Sequence, residues 1–365
     1  MNPNRPSRPD LAREVGGLGR GGRGAKHLVA VSLVAASLRH MIPLARVLLG
    51  NLRHEVSQMP RPLRMLNSHE FFLVTARCFQ RRLLLRPSPE TNEVLGGVLA
   101  RALRLYGVEL LAFSFLSNHM HLVVRAPRGN LPSFMQYLMT NISKKVGKLV
   151  GWRGSFWERR YSAQPILDDD ALLEKVTYVF SHGPKEGLVR RCREWPGLSC
   201  LPFMFDGKPR TFQWFNWTRR ASGNAGRTAR PLLDSRWAEP EELRLTPLPS
   251  PSLQTRSALH RFLRRAVDAV ERQASRQYRK VLGPVGVLNQ RPHSRPPPSE
   301  PKPRPPCHTT IPGMLEAFLE RYRSFAEAFR RASIRWRTGD LTACFPDEAI
   351  KPFLWPRATT MPLAA

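Results

Sequence analysis

Two histidines two residues apart are the first feature of this sequence that could do chemistry. They lie in FSFLSNHMHLVVR (residues 113–125), whose valines and leucines predict a β-strand. Side chains on a strand alternate between its faces, so His119 and His121 share one face while Met120 points to the other. Two imidazoles placed in this way can bind one metal ion. The alternative is an ordinary strand, because a His-x-His pair also arises by chance.

A second stretch, ALLEKVTYVFSHGP (residues 171–184), has the pattern of an amphipathic helix. Three aspartates before it are typical of a helix N-terminus, and Gly183-Pro184 is a stop signal. The apolar side chains share one face, whereas Glu174, Tyr178 and His182 line the opposite face. A tyrosine in an apolar helix ordinarily packs in the core, but Tyr178 lies off the packing face. Tyr178 and His182 are placed as a nucleophile and a third metal ligand could be.

Several motifs here resemble one known family, the single-tyrosine HUH transposases, and especially the REP-associated tyrosine transposase group. That family has a strand with Asn or Glu, His, an apolar residue and His, as in Asn118–His121. It also has a helix whose tyrosine begins a longer signature, as in YVFSHGPKEGLV (178–189). GSFWERRY (154–161) and WPGLS (195–199) resemble two further family segments. Order and spacing match over residues 66–203.

The resemblance implies a fold, a reaction and site residues. The fold is α+β, with a ferredoxin-like antiparallel sheet, helices on one face, and the histidines on a central strand. The reaction is cleavage and rejoining of single-stranded (hairpin) DNA in transposition, through a 5′-phosphotyrosine on Tyr178. The metal ligands are His119, His121 and His182, and the cofactor is a divalent ion, Mg or Mn. The chain departs from the family pattern at Ser117, where a proline is usual, and at His182-Gly183, where Asn-Pro is usual.

The elements that must position these residues follow from apolar periodicity. Residues 71–75 predict a strand, 91–106 a helix, 108–115 and 119–124 two paired strands, and 131–150 a further helix. This succession indicates an α+β domain with an antiparallel sheet.

Charge bounds the class of partner. The 365 residues include 58 Lys and Arg against 28 Asp and Glu, a net charge of +30. Such a charge attracts polyanions, and nucleic acid is favoured over a membrane because no long apolar segment accompanies it. The apolar run at 28–38 is too short to span a bilayer. Five cysteines without Cys-x-x-Cys spacing indicate a reduced protein, which we expect to be cytoplasmic and associated with the nucleoid.

The segment 141–161 mixes cations with aromatic residues, as single-stranded nucleic acid binding requires. The alternative is a solvated helix face followed by ordinary core aromatics. The predicted DNA-binding residues are Lys144, Lys145, Lys148, Arg153, Trp157, Arg159 and Arg160.

Composition divides the chain into five parts. We predict a basic low-complexity extension at 1–62, the catalytic domain at 63–205, a basic helical extension at 206–283, an extended proline-rich linker at 284–306 and an amphipathic helical segment at 307–365. The last helix needs an apolar surface to cover, on the main domain, on a second protomer of a homodimer or on another protein. We expect chemistry to need only 63–205, with the rest strengthening DNA binding, unless the last helix covers the core.

Two other functions remain open from the residues. The chain could be a domesticated DNA-binding protein without catalysis, which the His182-Gly183 departure and the long extensions favour. It could also be a metal-dependent hydrolase that uses the His-x-His pair and activated water. A hydrolase would cleave DNA without becoming attached to it.

Overall fold

The computed structural model describes residues 63–222, 235–297 and 305–352. The predicted extension at 1–62, most of the proline-rich stretch after residue 297 and the final residues of the chain lie outside the described residues. The described residues from Leu63 onwards form one compact unit.

A four-stranded antiparallel sheet forms the centre of the unit. Its strands are β1 (Phe71–Arg77), β2 (Glu109–Leu116), β3 (His119–Arg125) and β4 (Ser162–Ile166), in the order β2-β3-β1-β4. Residues 119–124 of β3 are all buried, so both of its faces are covered. This strand order and the β-α-β-β-α-β succession are those of a ferredoxin-like sheet, and β3 is central. The predicted α+β fold is confirmed.

Two long helices connect the strands. Helix α1 (Pro89–Tyr106) follows β1, and helix α2 (Leu131–Leu149) follows β3. Helix α1 begins at Ser88, whose side chain accepts a hydrogen bond from the Thr91 amide, and it ends at Gly107, which has a φ of 61°. The two helices pack against each other and contribute to the main apolar core.

A third helix follows β4 in the chain and covers the face of the sheet that carries the histidines. Helix α3 (Asp169–Phe180) begins at the N-cap residue Asp168, which accepts a hydrogen bond from the Ala171 amide at 2.8 Å, and α3 contacts β2 and β3. The predicted N-terminus is confirmed. The predicted end at Gly183-Pro184 is wrong, because α3 ends at Phe180 and a short helix, α4 (His182–Lys185), follows. Pro184 fits there because the first turn of a helix needs no amide from it.

The chain after residue 200 continues the same packing. Helix α5 (Leu201–Asp206) leads into a two-stranded antiparallel sheet, β5 (Arg210–Phe215) and β6 (Ala238–Leu243), with α6 (Trp217–Ser222) between the strands. This hairpin was not predicted from the sequence. It packs on α1 at Gly96 and Gly97, where a Cβ on Gly97 would lie 2.3 Å from the backbone oxygen of Gln213. A side chain on α1 would therefore push the hairpin away.

Three further helices complete the described chain: α7 (Arg256–Gln277), α8 (Gly283–Leu288) and α9 (Pro312–Arg337). Helix α7 corresponds to the predicted basic helix. Helix α8 occupies the start of the stretch predicted to be an extended linker, so that prediction fails there. On α9, Phe318 and Phe325 form an apolar cluster with Met65, so the amphipathic helix covers the main domain.

Residues just before α9 are tied to the start of α3. The His308 amide donates to Pro165 O at 2.8 Å, and the Leu167 amide donates to His308 O at 2.9 Å, as in a parallel strand pair beside β4. The Asp168 carboxylate accepts hydrogen bonds from the Thr309 hydroxyl and from the Thr310 amide and hydroxyl. The N-cap residue of the helix that carries Tyr178 is thus held in place by the C-terminal part of the chain.

Apolar residues on both sides of the predicted boundary near residue 205 share one core, including Phe215, Leu243 and Leu263. We therefore expect this boundary not to separate independently folding parts. Gly97→Ala should lower the free energy of unfolding by about 1–3 kcal/mol, the usual cost of overpacking, because Gln213 O cannot move without shifting β5. Urea denaturation measures this change.

Gly147→Ala is the matched control in α2. Its nearest neighbour, in the Phe156 ring, would lie 3.6 Å from the new Cβ, an ordinary contact. This variant should be neutral or gain roughly 0.5–1 kcal/mol from the better helix former. Equal unfolding midpoints for the two variants would contradict the close packing of the hairpin on α1.

Candidate active site

The three predicted histidines come together on one face of the sheet. The Nε2 atoms of His119 and His182 are 3.1 Å apart, and the ring centroid of His121 lies 4.9 Å from that of His119 and 4.6 Å from that of His182. One potential ligand atom from each residue lies within 4.8 Å of the others. The side chains are nearly inaccessible, with exposed fractions of 8%, 5% and 3% for His119, His121 and His182.

Hydrogen bonds orient the two strand histidines. Asn118 donates from Nδ2 to the Arg81 carbonyl, so its Oδ1 is the atom that faces His119 Nδ1, at 2.6 Å. Because Oδ1 can only accept, His119 donates from Nδ1, and its Nε2 keeps a lone pair. The Thr75 hydroxyl forms a hydrogen bond with His121 Nδ1 at 2.9 Å. Polar partners on the far nitrogen are the usual support of metal-binding histidines.

Tyr178 lies beside this cluster. Its ring centroid is 5.2 Å from that of His121 and 4.9 Å from that of His182, both in edge-on contact. The predicted neighbourhood of Tyr178 and His182 therefore holds, although His182 begins α4 and is not the last turn of α3. Tyr178 is half-buried, and Lys185 Nζ lies 5.3 Å from its ring centroid.

Burial and neighbouring cations keep the imidazoles of His119 and His182 neutral. Burial lowers the pKa of His182 to about 3, with Lys185 and Arg77 contributing in the same direction. Burial also lowers the pKa of His119 well below its usual value, with His182 and Arg77 adding to the effect. The pKa of the Tyr178 hydroxyl is raised to about 12 by burial and by Glu186, and Arg77 opposes the rise. Neutral imidazoles are the form that binds metal ions.

The three histidines fit a divalent metal ion. Their donors are ring nitrogens, and His182 Nδ1 is buried without a hydrogen-bond partner in the described part of the chain. A buried polar atom without a partner is uncommon and calls for an explanation such as a missing ion or water. The nearest carboxylate is that of Glu186, with Oε1 at 3.7 Å from His182 Nε2.

Part of the chain is similar to a known protein family. The sequence model of a protein family described as "Transposase IS200 like" matches residues 72–180, which include β1, both strand histidines and Tyr178. Residues 72–180 are therefore similar to IS200-like transposases. The predicted family resemblance is confirmed over this part of the chain. A search of curated proteins found no match.

Two solved structures are similar to this chain. One is a REP-associated tyrosine transposase bound to a REP hairpin, with 20% identity over 40% of this chain and 84% of the other, and a TM-score of 0.35. The other is a proposed transposase from Deinococcus radiodurans R1, with 16% identity over 29% of this chain and 87% of the other, and a TM-score of 0.25.

Most of the predicted DNA-binding residues lie at the surface of the protein. Lys144, Lys148, Arg153, Arg159 and Arg160 are exposed, and Trp157 is half-buried with its ring N–H donating to Met139 O.

Lys145 is the exception among the predicted DNA-binding residues. Its side chain is only 2% exposed, it donates to the backbone oxygen of Phe215, and it lies over the Trp214 ring. Burial and Arg101 lower its pKa to about 8. Lys145 therefore joins α2 to the β5–β6 hairpin and is not available to DNA in this structure.

Two cations of the site were not singled out from the sequence. Arg77 pairs with His119 across the sheet, so its side chain lies on the histidine face, and its Nε is buried without a hydrogen-bond partner among the described residues. The second cation, Lys185, is the last residue of α4. Arg77 could have been found from strand alternation had the β1–β3 register been known.

None of the helices in the described ranges is both long enough and apolar enough to cross a membrane.

We expect metal binding to depend both on the three histidines and on the residues that orient them. His119→Ala should abolish binding of manganese measured by titration calorimetry, and Thr75→Val should weaken it roughly 10- to 100-fold because His121 loses its orienting contact. His69→Ala is the control, since His69 is exposed and outside the cluster. Binding by His119→Ala with the stoichiometry and affinity of the unchanged protein would exclude this site.

Proposed function

We propose that the chain is a DNA strand transferase, which cleaves and rejoins single-stranded DNA of hairpin-forming elements with Tyr178 as nucleophile. The observation that carries the proposal is the contact of Tyr178 with His121 and His182, two members of the buried histidine cluster. A hydroxyl nucleophile beside a metal site is an arrangement that suits phosphoryl transfer to a protein side chain. The similarity of residues 72–180 to a transposase family supports the same reaction class.

The bonds of the proposed reaction balance within the protein and the DNA. The Tyr178 oxygen forms a bond to the scissile phosphorus as the bond from phosphorus to the 3′-oxygen breaks. The tyrosine loses its proton and the leaving oxygen gains one, which leaves a 5′-phosphotyrosine and a free 3′-hydroxyl. Attack by a 3′-hydroxyl on the phosphotyrosine reverses these changes and rejoins the strand. No water or external energy source is needed.

His119, His121 and His182 would hold the metal ion in this proposal. When bound, a divalent ion supplies Lewis-acid charge to the scissile phosphate. Three imidazoles suit Mn better than Mg, which prefers oxygen ligands, so of the two ions Mn should bind more tightly.

Arg77 and Lys185 would hold the scissile phosphate. Both contribute positive charge to the same cluster, since each lowers the pKa of His182. Neither has an ion pair among the described residues. Cations that face neutral imidazoles repel a metal ion, so their presence is favourable only when an anion joins them. A phosphodiester is such an anion.

The exposed basic residues near this end of the sheet would guide the DNA strand to the site. The Glu158 amide donates to Arg77 O, so the segment that carries Arg153, Arg159 and Arg160 runs beside the end of β1. Lys144 and Lys148 on α2 extend the positive surface, and Trp157 offers a ring for base stacking.

Tyr178→Phe should abolish the covalent protein–DNA adduct formed with a labelled single-stranded hairpin and manganese, because no hydroxyl remains to bond to phosphorus. Denaturing gel electrophoresis measures the adduct. Tyr106→Phe is the control, since Tyr106 packs against Phe134 and Tyr137 away from the histidines.

Three results of this experiment would contradict the proposal in different ways. An adduct of undiminished yield with Tyr178→Phe would assign the nucleophile elsewhere. Cleavage without any adduct in the unchanged protein would indicate a hydrolase that uses activated water. Binding of the hairpin without cleavage would indicate a domesticated DNA-binding protein.

Arg77→Gln should slow adduct formation by roughly 10²-fold, the usual loss when one group that stabilises developing charge is removed. Manganese affinity should stay the same or rise, because a repelling charge is lost. Arg125→Gln is the control, as Arg125 lies at the end of β3 and pairs with Glu109. An unchanged adduct rate with the metal bound would exclude a role for Arg77 in the reaction.

A further inference from the structure

Helix α7 has two faces of opposite character. Leu263, Val270 and Ala274 are buried against the domain. At about 100° per residue the other side of the helix carries a row of exposed arginines. They are Arg261, Arg264, Arg265, Arg272 and Arg276, followed by Arg279 and Lys280 just beyond the helix.

This arginine face has few acidic neighbours to neutralise it. Within the described residues, no ion pair involves any of its seven cations. Asp268 is the one acidic residue among them, and the neighbouring Glu271 side chain instead accepts a hydrogen bond from the Cys192 amide. Helix α9 differs, because Glu316, Glu320 and Glu327 alternate with its arginines. A solvated face ordinarily mixes charges as α9 does.

The C-terminal end of α7 is fastened to the active-site helix α4. The Tyr278 hydroxyl donates to Lys185 O at 3.1 Å, and the Leu282 and Gly283 amides donate to Gly187 O and Leu188 O. The Arg190 guanidinium also donates to Arg279 O. The arginine face therefore ends beside Lys185, which lies over the Tyr178 ring.

We propose that the arginine face of α7 binds the phosphate backbone of a DNA duplex that adjoins the cleaved strand. The proposal rests on the function proposed above, and it assigns a partner to a surface outside the histidine cluster. Helix α7 has 22 residues and is about 33 Å long. The arginines on it run from Arg261 to Arg276, over about 22 Å, which matches the axial rise of about 6 or 7 base pairs at about 3.4 Å each.

Charge and burial select a duplex over other anionic partners. A helix that lies on a membrane inserts its apolar face into the lipid, but that face of α7 is already buried in the domain. Single strands are flexible and are held by stacking on aromatic rings. No aromatic residue between 256 and 280 is exposed, so the arginine face offers charge without an exposed stacking surface.

The test compares two triple variants of the full-length chain that remove the same charge. Arg261→Gln, Arg265→Gln and Arg272→Gln are combined in one protein, and Arg323→Gln, Arg331→Gln and Arg337→Gln on α9 in the other. Fluorescence anisotropy measures binding of two hairpins with the same single-stranded arm and with stems of about 4 or about 12 base pairs, over a range of salt concentrations.

The unchanged protein and the α9 variant should bind the longer stem more tightly and with a steeper salt dependence. The α7 variant should lose this preference, with a log–log slope on the long stem lower by about 0.9 for each phosphate contact removed. Both variants should bind the short stem alike. A preference for the long stem that survives in the α7 variant would overturn the proposal, and so would an equal loss on both stems.

Adduct formation on the short-stem hairpin keeps the two proposals apart. The α7 variant should form the adduct at saturating DNA as well as the α9 variant does, since the arginine face does not contact the reacting phosphate. If the unchanged protein forms no adduct, the proposed reaction fails, and the stem-length comparison still decides whether α7 binds duplex DNA.

Discussion

The antiparallel pairing of β1 with β3 is the constraint on which the site depends. Its register places Thr75 opposite His121 and Arg77 opposite His119, all on one face. A slip by one residue would move β3 side chains to the other face, and the burial of both faces of β3 makes such a slip costly. The same pairing therefore orients a histidine, places a cation and presents the face on which α3 and α4 pack.

That arrangement is unfavourable for the protein alone. Three imidazoles are buried together, and two cations approach them, with no carboxylate of the described residues close enough to form a strong pair. Natural proteins accept such local conflicts at functional sites and compensate elsewhere. Here the surrounding packing is extensive. The tyrosine helix is capped by Asp168, which Thr309 and Thr310 hold in turn, and the β5–β6 hairpin and α9 close over the same unit.

The sequence predicted what local periodicity encodes and missed what distant segments decide. The histidine pair, the helix with Tyr178 and its aspartate cap all follow from spacing within a few residues. Lys144 and Lys145 are adjacent and chemically identical, yet only Lys145 is buried, because its partner Phe215 O comes from a hairpin far along the chain. Arg77 lies beyond the predicted strand at 71–75, and its position opposite His119 depends on the strand register, which the sequence does not show. His182 was predicted to lie on the same helix as Tyr178 because apolar periodicity does not mark the break at Ser181, which only the structure shows.

We propose that the β1–β3 pairing and α4 assemble one metal site beside Tyr178. The most direct test is a crystal structure of the full chain grown with manganese, with anomalous diffraction used to locate the ion. We expect one anomalous peak, at coordination distance from ring nitrogens of His119, His121 and His182 and next to the Tyr178 ring. Well-ordered histidines without such a peak, or a peak bonded by other residues, would contradict it.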